Sequence, residues 1–212
     1  LNALARLVPN LQALIRTSVP AGFFEPRLTI PWKLSPAQQD IGCIQKGPLT
    51  IDVAGTWSAH RTLHADWDKK IETEATLIRQ AAPTLVLSDV SHLGIAAGAS
   101  AGITTIGLCS LSWDLVLAPF VDPADPAHAA IMNQIRDAYA KADCFLRVAP
   151  GLAVTAFRHL RDVGPIAEPT EPQPAALRQA IGATASEKII LVGFGGIALQ
   201  SPPFDHMEAM QG

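Results

Sequence analysis

The stretch that decides the fold is Thr84–Asp114, TLVLSDVSHLGIAAGASAGITTIGLCSLSWD. Two apolar runs, Thr84–Asp89 and Ile103–Ser110, flank the small-residue segment HLGIAAGASAG. Neither run alternates apolar with polar residues, so each is expected to be a strand buried on both faces. Between them, the small residues read as a helix ending at Gly102. A strand, a helix and a second strand in this order make a parallel β-α-β unit.

Outward from this unit the same alternation continues. Leu63, Trp67, Ile71, Ala75 and Ile78 recur at helical spacing, which predicts one long helix over 56–81 stopped by Pro83. A further helix is expected over 125–141, followed by the strand CFLRVA, Cys144–Ala149. Before the unit, a helix end at 1–9, a strand at Leu11–Thr17 and a strand near Ile41–Gln45 are expected among loops. After it, Pro165, Pro169, Pro172 and Pro174 mark a linker. A short helix at 175–182 and a strand at Lys188–Val192 follow. The reading is an α/β protein: a Rossmann-like parallel sheet with helices on both faces over 1–166, a linker and short helix over 167–187, and the start of a second α/β domain over 188–212. The opening inside an amphipathic pattern and the end just past a glycine turn lead us to expect further chain on either side.

Composition narrows the function classes. The 212 residues are 49% hydrophobic and 17% charged, with a net charge of −3 and a pI of about 6.1. A nucleic-acid binder would show a basic footprint, which is absent. No apolar run approaches the ~20 residues of a membrane span. Cys43, Cys109 and Cys144 are odd in number and far apart, as expected of small buried groups in a reducing, cytoplasmic setting.

Several motifs bear on chemistry. Gly193, Phe194, Gly195 and Gly196 follow the last expected strand, and the run to Ala198 fits G-x-G-x-x-A. Pro202-Pro203 follows too soon for the helix that a dinucleotide site needs; a glycine turn offering backbone N–H groups to a phosphate is the better reading. Gly98-x-Ser100-x-Gly102 has the spacing of a nucleophile elbow but the wrong order, helix before strand. His60, His64 and Asp68 share helical spacing and are expected on a solvated face, without metal. Asp89 ends the first strand, and Ser112, Trp113 and Asp114 follow the second. Ligands of open α/β sheets bind beyond such strand ends, although Asp89, Ser91 and Asp114 could equally cap helices. His92 could act as a base but is expected to be a partly exposed first-turn residue. Lys46, after Gln45, is expected to be solvated.

Taken together, TLVLSDVSHLGIAAGASAGITTIGLCSLSWD, VGPIAEPTEP and KIILVGFGGIAL resemble glycosyltransferase-like proteins of the two-domain GT-B fold. The similarity is to the glycosyltransferase-like N-terminal region of L-arabinokinases and their stand-alone bacterial homologues, and spans roughly residues 1–200. The resemblance implies a nucleotide-sugar and an acceptor as small-molecule substrates, with no metal or other cofactor. It implies that Gly193, Phe194, Gly195 and Gly196 lie near the donor phosphates. It implies that Asp89, Ser112, Trp113 and Asp114 line the acceptor side. In this family a base often sits in a first turn ahead of Leu1; Asp89 and His92 are the candidates within the chain. A non-catalytic module of the same shape, or a nucleotide-sugar hydrolase, are the alternatives.

Overall fold

The computed structural model describes residues 1–47, 49–167 and 171–191. The chain forms two compact units: residues 1–44 with 53–166, and residues 45–52 with 167–212.

The first unit opens with a short helix α1 (Asn2–Ala5), a strand β1 (Ala13–Thr17), a helical turn α2 (Ala21–Phe24) and a strand β2 (Trp32–Pro36). β1 and β2 pair in parallel, Ala13 opposite Trp32. In the second unit β3 (Gln45–Gly47) and β4 (Thr50–Ile51) form an antiparallel hairpin, so the single strand expected near Ile41–Gln45 begins later and turns back on itself.

The first unit resumes with α3 (Val53–His64) and α4 (Trp67–Ala81). One long helix was expected here; Asp66 breaks it, with φ of +52°. Aspartate tolerates this left-handed conformation better than most residues. Lys70 Nζ donates to the carbonyls of Thr62 (2.7 Å) and Leu63 (2.6 Å), which α3 leaves unpaired at its end. Arg16 of β1 reaches Glu74 of α4 with a 2.5 Å contact.

β5 (Val86–Ser88), α5 (His92–Ser100), β6 (Thr105–Cys109), α6 (Trp113–Leu117), α7 (Pro126–Tyr139), β7 (Cys144–Val148) and β8 (Leu160–Val163) complete the unit. The four strands form a parallel sheet in the order β5-β6-β7-β8. The expected Rossmann-like α/β architecture is therefore present, a parallel sheet flanked by helices. α5 lies close on it because of two glycines. A Cβ on Gly98 would come within 2.3 Å of Thr105 Oγ1, and one on Gly107 within 2.7 Å of Phe145.

The core joins Ile95 of α5, Leu117 of α6, Ile131, Met132, Ile135 and Tyr139 of α7, and Phe145 of β7. Phe157 stacks on both Phe145 (3.9 Å) and Tyr139 (4.6 Å). The expectation that β5 is buried on both faces is corrected: Leu85 and Leu87 stay 40% and 38% exposed. Only the face bearing Ser88, Thr105 and Gly107 is packed against α5.

In the second unit α8 (Pro174–Ile181) ends at Gly182, whose φ of +72° gives it a left-handed cap. Residues 188–191, expected to begin a strand, carry none. A strand is held by its ladder, and no pairing is formed there among the described residues. Among the described residues no helix is long and apolar enough to cross a membrane.

Candidate functional site

The parallel register sets Val86 opposite Thr105 and Ser88 opposite Gly107. The carboxyl ends of β5 and β6 therefore lie side by side, and the turns after them share one edge of the sheet. After β5 the chain turns sharply. Val90 has φ of +53°, a left-handed conformation that costs a β-branched residue roughly 1–3 kcal/mol. Tyr139 Oη donates to the Val90 carbonyl at 2.9 Å and holds it. The turn leaves Asp89 exposed while Ser88 and Val90 on either side are buried. Ser91 then caps α5, its Oγ accepting from Gly94 N at 3.1 Å.

Residues 37–44 run across these strand ends as a loop, where the sequence suggested a strand from Ile41. Each step is tied down. Ser91 Oγ donates to the Gln39 carbonyl (2.7 Å), and Trp113 Nε1 to Asp40 Oδ2 (2.8 Å). His60 Nε2 donates to the Gly42 carbonyl (2.9 Å), and Ile44 N to Thr56 Oγ1 (2.9 Å). Gly42, at φ +66°, lies under the Trp113 ring, where a Cβ would come within 2.9 Å of the indole. No other residue fits there without moving the tryptophan.

The loop brings Asp40 toward Asp89. Burial pushes the Asp40 carboxyl above its ordinary value; the Trp113 hydrogen bond opposes this, and the Asp89 charge adds to the rise. Cys109, at the end of β6, is also raised, chiefly by burial, with Asp89 nearby. Asp40, Asp89, Cys109 and the Trp113 indole thus gather at one edge of the sheet. A half-buried carboxyl with a raised pKa is a better proton acceptor near neutral pH than an ordinary aspartate. An exposed carboxylate beside it can accept hydrogen bonds from hydroxyl groups. Asp40 escaped the sequence reading because the signal around it, DIGCIQ, looked like a strand opening.

The other sequence candidates have different surroundings. Ser112 and Asp114 are 0% and 2% exposed. Ser112 Oγ donates to Asp114 Oδ1 at 2.6 Å, and Arg136 Nε stands 3.7 Å from Asp114 Oδ2. They lock the turn that aims Trp113, which itself remains partly accessible. His92 is fully buried rather than partly exposed, and its Nε2 lies 3.1 Å from His64 Nε2. His60 and His64, expected on a solvated face, are buried as well, because α3 turns them inward under the loop and toward α5 and α7; only Asp68 is exposed. Ser100 of the elbow-like motif is exposed at the end of α5. Lys46 pairs with Asp52 at 3.1 Å. Gly193, Phe194, Gly195 and Gly196 lie outside the described residues. Among the described residues no group of three or more His, Cys, Asp or Glu is placed to hold a metal ion.

Comparison with known proteins gives one informative similarity. The chain is 26% identical over 172 residues to the L-arabinokinase of Arabidopsis thaliana. That match covers 81% of this chain and 16% of the plant protein. No protein-family model and no solved structure matches. The chain is thus a distant relative of part of a sugar-modifying enzyme.

Proposed function

We propose that this chain forms the acceptor side of a nucleotide-sugar-dependent glycosyltransferase of the GT-B type. The observation that carries the reading is the meeting of Asp40, Asp89 and Trp113 at the carboxyl ends of two parallel strands, where α/β sheets bind ligands. An indole and two carboxyl groups suit a polyol: the ring covers its apolar C–H face, and the carboxylates accept from its hydroxyls. The relationship to a sugar-modifying enzyme supports the same substrate class.

In this reading Asp40 takes the proton of the acceptor hydroxyl as its oxygen attacks the sugar carbon of the donor. Asp89 orients a neighbouring hydroxyl. The departing diphosphate is met by the N–H groups of Gly193, Phe194, Gly195 and Gly196, an arrangement that needs no metal. The protein would work in the cytoplasm on small molecules, without nucleic acid.

The chain is expected to lose donor turnover when the base is removed. The test incubates the full-length protein with a panel of labelled nucleotide-sugars and polyol acceptors and follows donor consumption. Asp40→Asn is expected to lower the rate by about 10²–10⁴-fold, the range for loss of a positioned base, with donor affinity unchanged. A second reading, a sugar-binding module without glycosyl-transfer activity, is favoured by one fact: the relative is named for a kinase, not a glycosyltransferase. It requires saturable polyol binding that weakens in Asp89→Asn, with no donor consumed by the unaltered protein.

A further inference from the structure

Three histidines are stacked inside the first unit. His60 and His64 come from α3, and His92 opens α5. The His64 and His92 rings are 5.0 Å apart and within 10° of parallel; His60 and His92 are 6.4 Å apart. His60 and His92 are 0% exposed and His64 is 7% exposed.

The hydrogen bonds fix the proton positions. His64 Nδ1 meets the Gln134 side-chain oxygen at 2.8 Å, so Nδ1 carries the hydrogen and Nε2 is bare. His92 Nε2 must then donate to His64 Nε2 across the 3.1 Å between them. His60 Nε2 donates to the Gly42 carbonyl. The remaining nitrogens, His60 Nδ1 and His92 Nδ1, are buried without a partner among the described residues. All three rings are therefore neutral. A second proton on His64 would set two N–H groups head to head. One on His60 or His92 would bury a charge with no acceptor.

The surroundings offer no relief. Lys70 of α4 adds a positive charge that further disfavours charging His64. Trp67 of α4 stacks on His64 at 4.7 Å, and the Tyr139 ring of α7 meets His92 edge-on at 6.2 Å. Gln134 of α7 supplies an amide. Beyond Trp57, His128 of α7 lies 3.5 Å from Asp125, which also pairs with Arg61. Burial holds all three histidines below the ordinary value near 6.5, His64 at about 4.

We propose that this stack is a neutral-pH latch that holds α3 against α5 and, through His60 and Thr56, holds the loop of residues 37–44 with Asp40 over the strand ends. The loop straddles the seam: His60 and Thr56 of α3 bind one half, and Ser91 at the start of α5 binds the other. Proton uptake at His64 Nε2 breaks the His64–His92 bond, parts the seam and frees the loop while the sheet and α7 stay folded.

Hydrogen exchange of the full-length protein tests the latch without reference to activity. Protection of the amides of residues 37–44 and of α7 is followed from about pH 7 to about pH 5, after correction for intrinsic rates. A histidine that is held at about 4 when latched and returns to 6.5 when released favours opening about twenty-fold over that range. The loop is therefore expected to lose protection about twenty-fold or more while α7 keeps its own. His64→Gln, which cannot take a proton, is expected to shrink the acid loss. His92→Phe, which removes the His64–His92 bond at every pH, gives a second test if His64→Gln does not fold: the loop is expected to be poorly protected already at about pH 7. Loop protection that is independent of pH, that falls only together with α7, that falls equally in His64→Gln, or that is undiminished at about pH 7 in His92→Phe would overturn the latch.

Discussion

Phe145→Ala is expected to destabilise the protein by about 3–5 kcal/mol, the range for emptying a buried aromatic site. Phe145 is 0% exposed on β7, the strand between β6 and β8. Its ring lies flat on Phe157 and fills the space left by the missing side chain of Gly107, where a Cβ would be 2.7 Å away. Because that glycine is in a strand, the backbone has little freedom to close over the hole. Thermal unfolding should shift down by roughly 6–20 °C for a chain of this size. Leu87→Ala on β5 is the control. Leu87 is 38% exposed, and its loss should cost no more than about 1 kcal/mol. Equal effects at the two positions would mean that the core does not lie on the α5 side of the sheet.

The second large effect is acid sensitivity. A histidine whose pKa is lowered on folding binds its proton more readily in the unfolded chain. Its contribution is fully present above about pH 6.5 and is lost as pH falls toward its folded value. For His64, displaced from 6.5 to about 4, the loss is on the order of 3 kcal/mol at the acid end. His60 and His92 act in the same direction, and the bond from His60 to the Gly42 carbonyl offsets part of the His60 share. Urea midpoints are therefore expected to fall steeply between about pH 6.5 and about pH 4. His64→Gln should flatten that limb while lowering the plateau above it. An unchanged slope would show that these rings are hydrated in the folded protein.

Much of the architecture was legible because it is local. The apolar runs around HLGIAAGASAG gave the parallel pair, and Gly102, with φ of +73°, closes the helix end where the glycine was read. What was not legible depends on partners distant in sequence. β8, Leu160–Val163, is half charged and mostly exposed, and is a strand only because β7 offers a ladder. The long helix was read through Asp66 because a continuous apolar stripe says nothing about a left-handed residue between its turns. His60 and His64 looked solvated, and His92 partly exposed, because histidine on a helix is polar by type; the burial of all three comes from tertiary packing among α3, α5 and α7. Asp40 acquires its raised pKa through burial, to which the charge of Asp89, 49 positions away, adds, and neither is written in the residues around it. Asp89 and Trp113 could be found from the strand-end rule alone, since position along a strand is written in the sequence.

The most direct measurement on the proposed function is a calorimetric titration of the full-length protein with UDP, GDP, dTDP and their sugars, with and without Mg²⁺. The transferase reading predicts micromolar binding of one nucleotide series, independent of Mg²⁺ and weakened by bulky replacements at Gly195 and Gly196. Absence of binding to every nucleotide would contradict it, and would leave the polyol-binding module as the function of the Asp40–Asp89–Trp113 site.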